Sequence, residues 1–377
     1  MLESTHQPSS YADKPGRAPT LQPSLRLVGA TLRIAQASEA MPAEWLEATT
    51  ALLDWLGLAL ERVPQRQAQG LKGAVDWARG ETTAPSAPLF APWQSWSPVA
   101  LQNVNAHNVP RGEWLASYLF DHAAGIGSQN SRHDVMLMSP HPSKCVEDAD
   151  CDARMPRLKV LKTMIGAARS ENRKKVAIIV HARSRNAMIR QMLLADRAMT
   201  RDEIEIEIVS VEDALGPLMR NAGRWDAIIA MPELRSIVFA VLAHAADSAG
   251  PWPIVWQDRN STAIMAEALP NGAALLPLDA GLLVKSLALA LLQSGLGHAA
   301  RRLQESAAQL QLRGVTTAGK HSLAPYANQV SDAEFVRLIC AGAGISGRTV
   351  PGWHAIGAAE KPIASKRSVK LHVVSPT

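Results

Sequence analysis

The chain has 377 residues, 47% hydrophobic and 19% charged, which is enough for two packed domains or one large one. Its longest apolar runs, Ala273 to Leu278 and Leu287 to Leu292, fall well short of the ~20 residues that span a bilayer, and residues 1–25 carry no apolar leader core, so no membrane association is expected. The net charge is a modest +5 and the three cysteines form no disulfide framework, which fits a reducing, cytoplasmic setting.

In chain order, residues 1–24 read as a disordered lead-in rich in Pro, Ser, Gln and Thr. A strand is expected within Ser24 to Ala37. A helix follows from Pro42 to Val63, with Trp45, Leu46, Leu52, Leu53, Leu56, Leu58 and Leu60 at roughly helical spacing. Residues 79–113 hold five prolines with Trp93 and Trp96 and show no period, so they read as irregular. The two tryptophans either cover a sheet face or form a partner surface.

From Asp134 the pattern sharpens. Val135 to Met138 is a short buried strand, and a helix from Pro156 to Ser170 leads to a second strand, Lys175 to Val180. A helix (Asn186 to Arg197), a strand alternating Ile with Glu (Ile204 to Val209), a helix (Val211 to Asn221), a buried strand (Ala227 to Ala230) and a helix (Leu234 to Ala246) follow. Such alternation predicts parallel pairing with helices over both faces. The Ile204 to Val209 strand is expected to be half-exposed or at an edge. Two helical runs, Leu282 to Leu296 and His298 to Leu312, come late in the chain. Cys145 and Cys151 bracket an acidic run whose five-residue gap suits no zinc knuckle, so a flexible acidic loop is expected and no metal site. Gly125-Ile126-Gly127 lacks a third glycine and is no dinucleotide fingerprint. The basic tail (Lys361, Lys366, Arg367, Lys370) reads as a solvated end, and no nucleic-acid partner is expected from it.

Several of these stretches share one likeness. Val211-Glu212-Asp213-Ala214-Leu215, Leu218-Met219-Arg220-Asn221 and Arg224-Trp225-Asp226-Ala227-Ile228-Ile229 resemble, without a gap, a segment of the β-decarboxylating hydroxyacid dehydrogenases, the isocitrate/isopropylmalate dehydrogenase family. Arg157 to Val180, Ser286 to Ala307 with Gly297-His298-Ala299-Ala300-Arg301-Arg302, Thr316-Thr317 with Glu334-Phe335-Val336, and Ile34-Ala35 with Pro42-Ala43-Glu44 extend it. About three quarters of the chain can be placed, with residues 66–130 fitting poorly and those past Gly342 not at all.

The resemblance implies an α/β, isopropylmalate-dehydrogenase-like two-domain fold with a largely parallel central sheet flanked by helices. It implies a larger, discontinuous domain of residues 25–133 and 249–345, a smaller dimerisation domain of 134–248, and a tail of 346–377. It also implies a site built from three carboxylates around Mg or Mn, a lysine–tyrosine acid–base pair, an arginine clamp and a glycine-lined NAD loop. Here the helical carboxylate pair falls on Ser236 and Ala240, and the third position on Glu212. The lysine region reads His181-Ala182-Arg183-Ser184-Arg185, with Arg183 the nearest cation, and arginine keeps its proton at neutral pH. The tyrosine position falls near Asp152 to Arg154, and a gripping arginine is replaced by Ser139. In the nucleotide loop, Gln257 to Ala263, only Ser261 stands in a comparable place, and an early turn reads Ser38-Glu39-Ala40.

The residual catalytic positions are therefore Arg183 and Glu212 and the residual cofactor position is Ser261, with no metal ligand set. Glu212 and Asp213 read equally as a helix N-terminus, Arg183 and Arg185 as a solvated loop or an anion contact, and His181 as a non-catalytic relic. The expectation is a catalytically degenerate binding or regulatory subunit without cofactor, a homodimer or a heteromer with an active paralogue. The alternative is a working dehydrogenase of a 2-hydroxy acid, using NAD and Mg or Mn through a rewired site.

Overall fold

The computed structural model describes residues 30–35, 40–63, 87–99, 112–121, 133–148, 153–196, 204–246, 248, 250–259, 261–268, 275–317, 328–342, 352–357 and 370–372. The lead-in, Ser38-Glu39, Gly125 to Gly127, Cys151-Asp152 and three of the four basic tail residues lie outside them. Among the described residues no helix is long and apolar enough to cross a membrane.

The chain begins with β1 (Thr31–Ala35), α1 (Ala43–Leu56) and β2 (Ala59–Val63). The single helix expected over 42–63 is thus a helix and a strand. Gly57, at φ 75°, ends α1 in the left-handed region where only glycine is unstrained. Leu60, beyond it, pairs with Leu32 of β1. The region expected to be irregular contains β3 (Leu89–Trp96), whose Pro92 was the misleading signal. Trp93 is buried against Trp45 and Phe90, and Trp96 against Trp256, so both cover the sheet.

The middle follows the predicted rhythm: β4 (Trp114–Asp121), β5 (His133–Pro140), a ribbon of β6 (Cys145–Asp148) and β7 (Ala153–Pro156), α2 (Leu158–Ser170), β8 (Lys175–Val180), α3 (Arg185–Asp196), β9 (Glu205–Ser210), α4 (Val211–Arg220), β10 (Ala227–Ala230) and α5 (Arg235–Ala245). The expected acidic loop after Cys145 is instead this antiparallel ribbon. Next come β11 (Trp252–Gln257), β12 (Thr262–Glu267), α6 (Ala280–Gln293), α7 (Gly297–Leu312), β13 (Val315–Thr317), β14 (Asn328–Val330), α8 (Asp332–Cys340), α9 (His354–Gly357) and β15 (Lys370–His372).

Eleven strands form one sheet in the order β15-β9-β8-β10-β5-β4-β11-β12-β3-β1-β2. The block β15 to β5 is parallel, β4 and β11 alternate, and β12 to β2 is a second parallel block running the opposite way. This is an α/β architecture with a large, mostly parallel central sheet flanked by helices. The chain moves from β5 to β8 to β9 in one direction and turns back to β10. Right-handed crossovers therefore place α2 and α3 on one face and α4 on the other. β9 keeps its half-exposed character but is not an edge, because β15 pairs outside it.

At the N-terminal edge of the β5 block, buried Arg173 donates to the backbone carbonyls of Asp134 and Asp226, both at 2.9 Å, and pairs with the carboxylates of Asp134 and Glu171. Burial opposes its charge, but Asp134 and Glu171 outweigh burial and hold the guanidinium pKa above its ordinary value. Burial holds Glu171 above the usual carboxylate range and the Tyr118 phenol, which donates to it, well above its own. Residues 352–357, within the expected tail of 346–377, dock here. Trp353 is fully buried and stacks on Phe120 at 5.0 Å, and both the backbone N–H and Nδ1 of His354 contact an Asp134 carboxylate oxygen at 2.7 Å.

The hydrogen bond to Asp134 raises the His354 pKa. Burial works against the Asp134 carboxylate, yet Arg173 and His354 prevail and lower its pKa. A histidine raised on folding stabilises fully below its unfolded pKa of about 6.5 and loses that contribution as pH rises through the folded value. Thermal unfolding of wild type and His354→Gln from pH 6 to 9 is therefore expected to show a stability gap that narrows with rising pH. A gap constant across that range contradicts the charged His354–Asp134 contact.

Candidate functional site

The strand register places Arg183, Glu212 and Ser261 at one edge of the sheet. β8 and β9 end at Val180 and Ser210, so Arg183 and Glu212 follow the C-terminal ends of neighbouring strands. Pro140, ending β5, lies opposite Trp114, which lies opposite Gln257, so the turn holding Ser261 opens at the same edge. In an open α/β sheet this is where ligands bind. Arg183 and Glu212 follow the ends of two neighbouring strands, Arg183 in a turn and Glu212 in a helix. Ser261 stands apart: β11 lies four strands from β8, about 19 Å at a spacing of ~4.8 Å.

Each position has a structural occupation. Arg183 sits exposed in a short 3-10 turn, Ala182–Ser184. Glu212 is exposed in the first turn of α4, where Ser210 caps the helix by accepting from the Asp213 amide at 3.2 Å and donating to the Asp213 carboxylate at 2.7 Å. Ser261 closes a tight β11–β12 turn by accepting from the Asp258 amide at 2.9 Å. That turn has no glycine, and Arg259 within it pairs with Glu113 at 2.9 Å. Asp226, another available carboxylate, accepts from the amides of Lys174 and Lys175 at the far edge. Cys145 is pushed up to about 12, by burial first and Glu233 second, so its thiol stays protonated.

The strongest feature was missed from the sequence. Arg235, the first residue of α5, is fully buried and uses all five guanidinium hydrogens. It grips both oxygens of buried Glu267 at 2.8 and 2.7 Å, and donates to the Leu137 carbonyl at 3.2 Å, Ser139 Oγ at 3.1 Å and Ser117 Oγ at 2.7 Å. Ser117 donates in turn to Glu267. Strand parity puts Ser117, Ser139 and Glu267 on one sheet face, together with the small apolar cluster of Trp96, Leu115, Ile254 and Trp256 beside them. A single Arg within Leu234-Arg235-Ser236-Ile237-Val238-Phe239, and a single Glu ending an otherwise apolar strand, were the available signals.

The consequence concerns Ser139, the position of an expected substrate-gripping arginine. A guanidinium does stand beside it, but it is sealed from solvent and neutralised. The donor set is equally unsuited to Mg or Mn, which need several oxygen ligands. Ser236 and Ala240 bring no carboxylate, and Glu212 is one exposed acid on another helix. Among the described residues no group of three or more His, Cys, Asp or Glu is placed to hold a metal ion. The residues present therefore do not fit the metal of the resembling family.

No family model matches the chain, nor does any curated protein sequence. Solved structures do match. The TT0538 protein of Thermus thermophilus is similar with a TM-score of 0.55 and 15% identity, over 85% of this chain and 69% of that one. Isocitrate dehydrogenase of Methylococcus capsulatus is similar with a TM-score of 0.53 and 13% identity, over 84% of this chain and all of that one. At these identities the likeness shows the fold: this chain is built like isocitrate dehydrogenase.

If Glu212 serves the helix dipole rather than a ligand, Glu212→Ala is expected to cost about 0.3–1 kcal/mol in denaturant unfolding, less at high salt. Mn titration is expected to give the same response in the variant and the wild type. A Mn response in the wild type that the variant loses makes Glu212 a ligand.

Proposed function

We propose that the chain is a non-catalytic relative of the isocitrate and isopropylmalate dehydrogenases, acting as a binding or regulatory subunit. The observation that carries this reading is the Arg235–Glu267 pair at Ser139. Oxidation and decarboxylation of a hydroxy acid need a cation free to grip a carboxylate and a metal to polarise the hydroxyl. Here the nearest cation is satisfied internally on every donor, and two of three metal-ligand positions have no carboxylate. Arg183, Glu212 and Ser261 are on this reading remnants of the site, held at its edge by capping and turn formation.

The partner we propose is a second copy of the chain or an active paralogue. An inactive subunit of such a pair keeps its packing while its own site decays, which agrees with a complete core beside an altered crevice. Three cysteines without a disulfide framework favour an intracellular setting for this reading. Neither NAD nor Mg or Mn is required by it.

Isothermal titration calorimetry tests the proposal directly, with NAD, NADP and Mg or Mn, alone and with isopropylmalate or isocitrate. No heat of binding for cofactor or metal is expected. Metal-dependent cofactor binding overturns the reading and favours the rewired NAD-dependent dehydrogenase, for which hydride transfer is the next assay.

A further inference from the structure

Charge is segregated along this chain. Residues 154–190 contain eleven Lys and Arg against one acid, Glu171, leaving 28 basic against 33 acidic residues elsewhere. That acid is held internally by Tyr118 and Arg173. The stretch forms α2, β8 and α3, and it folds onto one face of the sheet. Gln191 of α3 donates to the carbonyl of Pro156, the last residue of β7, just ahead of α2.

On α2 the inward residues are Val160, Leu161, Met164, Ile165 and Ala168. At 3.6 residues per turn, Lys159, Lys162 and Arg169 fall within about 80° of one another on the opposite side, interleaved with Thr163, Gly166 and Ser170. All six are exposed or half-exposed. Lys174 follows the helix, and Arg183, Arg185 and Arg190 extend the positive field onto α3. Arg154 lies opposite Glu147 in the ribbon and Lys175 beside Glu205, so these two add little. Arg173 is buried and adds nothing to the surface.

We propose that the α2–α3 face binds double-stranded DNA through its phosphates. The face is about 20 Å long, the length of a 13-residue helix, and a duplex presents one negative charge per ~1.7 Å of its axis. Neither helix carries an aromatic residue on which unpaired bases could stack, which disfavours a single strand. The outward side of α2 offers small and hydroxyl residues rather than apolar ones to insert into a lipid surface, and the exposed apolar residues of this face, Leu193 and Leu194, stand near the end of α3. Small residues between the cations let a phosphate backbone approach closely. The expected binding is independent of sequence, because contacts to phosphates carry no base information.

Fluorescence anisotropy of the full chain with a labelled 20-base-pair duplex, over 50 to 200 mM salt, tests the proposal. Binding should weaken steeply as salt rises. Lys159→Glu/Lys162→Glu/Arg169→Glu should abolish it at the higher salt, and the milder triple replacement by Gln should lower the log–log salt slope by about 3. Circular dichroism checks that both variants fold, and the Gln variant carries the test if the Glu variant does not. No binding at 50 mM salt, unchanged binding by the Gln variant, tighter binding to the matched single strand, or binding to phosphatidylserine vesicles in preference to the duplex would each overturn it.

Discussion

Arg235 and Glu267 set the terms for the rest of the molecule. A buried guanidinium and carboxylate are expensive to desolvate, and their attraction compensates only when geometry is good and every remaining donor is met. Here the bidentate pair, two serine hydroxyls and one strand carbonyl meet all five hydrogens of the arginine. This arrangement joins α5 to β4, β5 and β12, elements drawn from both halves of the sequence. It fixes the start of α5, and so fixes where Ser236 and Ala240 stand. A crevice wall made this way is rigid and electrically silent, the opposite of what a substrate clamp requires.

The second buried charge network does its work at the other end of the strands. Arg173 takes up the carbonyls of Asp134 and Asp226, where β5 and β10 begin, and draws in Glu171, Tyr118 and His354. The distance along β5 from Asp134 to Ser139 is about 17 Å at ~3.3 Å per residue, so the two networks act separately. One closes the floor of the sheet and anchors α9, and the other replaces the chemistry at its rim. Arg173, Arg235 and Glu267 are all sealed from solvent.

Much of the fold could be read from sequence because apolar runs are direct signals. Val176 to Val180 and Ala227 to Ala230 are buried on both faces and appear as uninterrupted hydrophobic strings. Helix α4 was legible through Glu212 and Asp213, the acids of its first turn. What failed was local punctuation against tertiary context. Leu58 and Leu60 continue the helical spacing of α1, yet Gly57 ends it. Pro92 reads as a breaker but sits within a strand. Trp353 looked like part of a solvated tail because its partners, Phe120 and Tyr118, are more than 200 residues away in sequence. The altered site was half legible. Missing carboxylates at Ser236 and Ala240 can be seen in a sequence, whereas the pairing of Arg235 with Glu267 depends on the register of β4, β5, β11 and β12.

Arg235 is committed to the fold and not to a ligand. Denaturant unfolding of Arg235→Met, Glu267→Leu and the double variant measures that commitment most directly. Each single replacement, by stranding a buried charge, is expected to cost about 3–5 kcal/mol, while the double variant stays near wild type. Single variants that cost little, with no coupling between them, would contradict it and return Arg235 to the crevice as a residue available for binding.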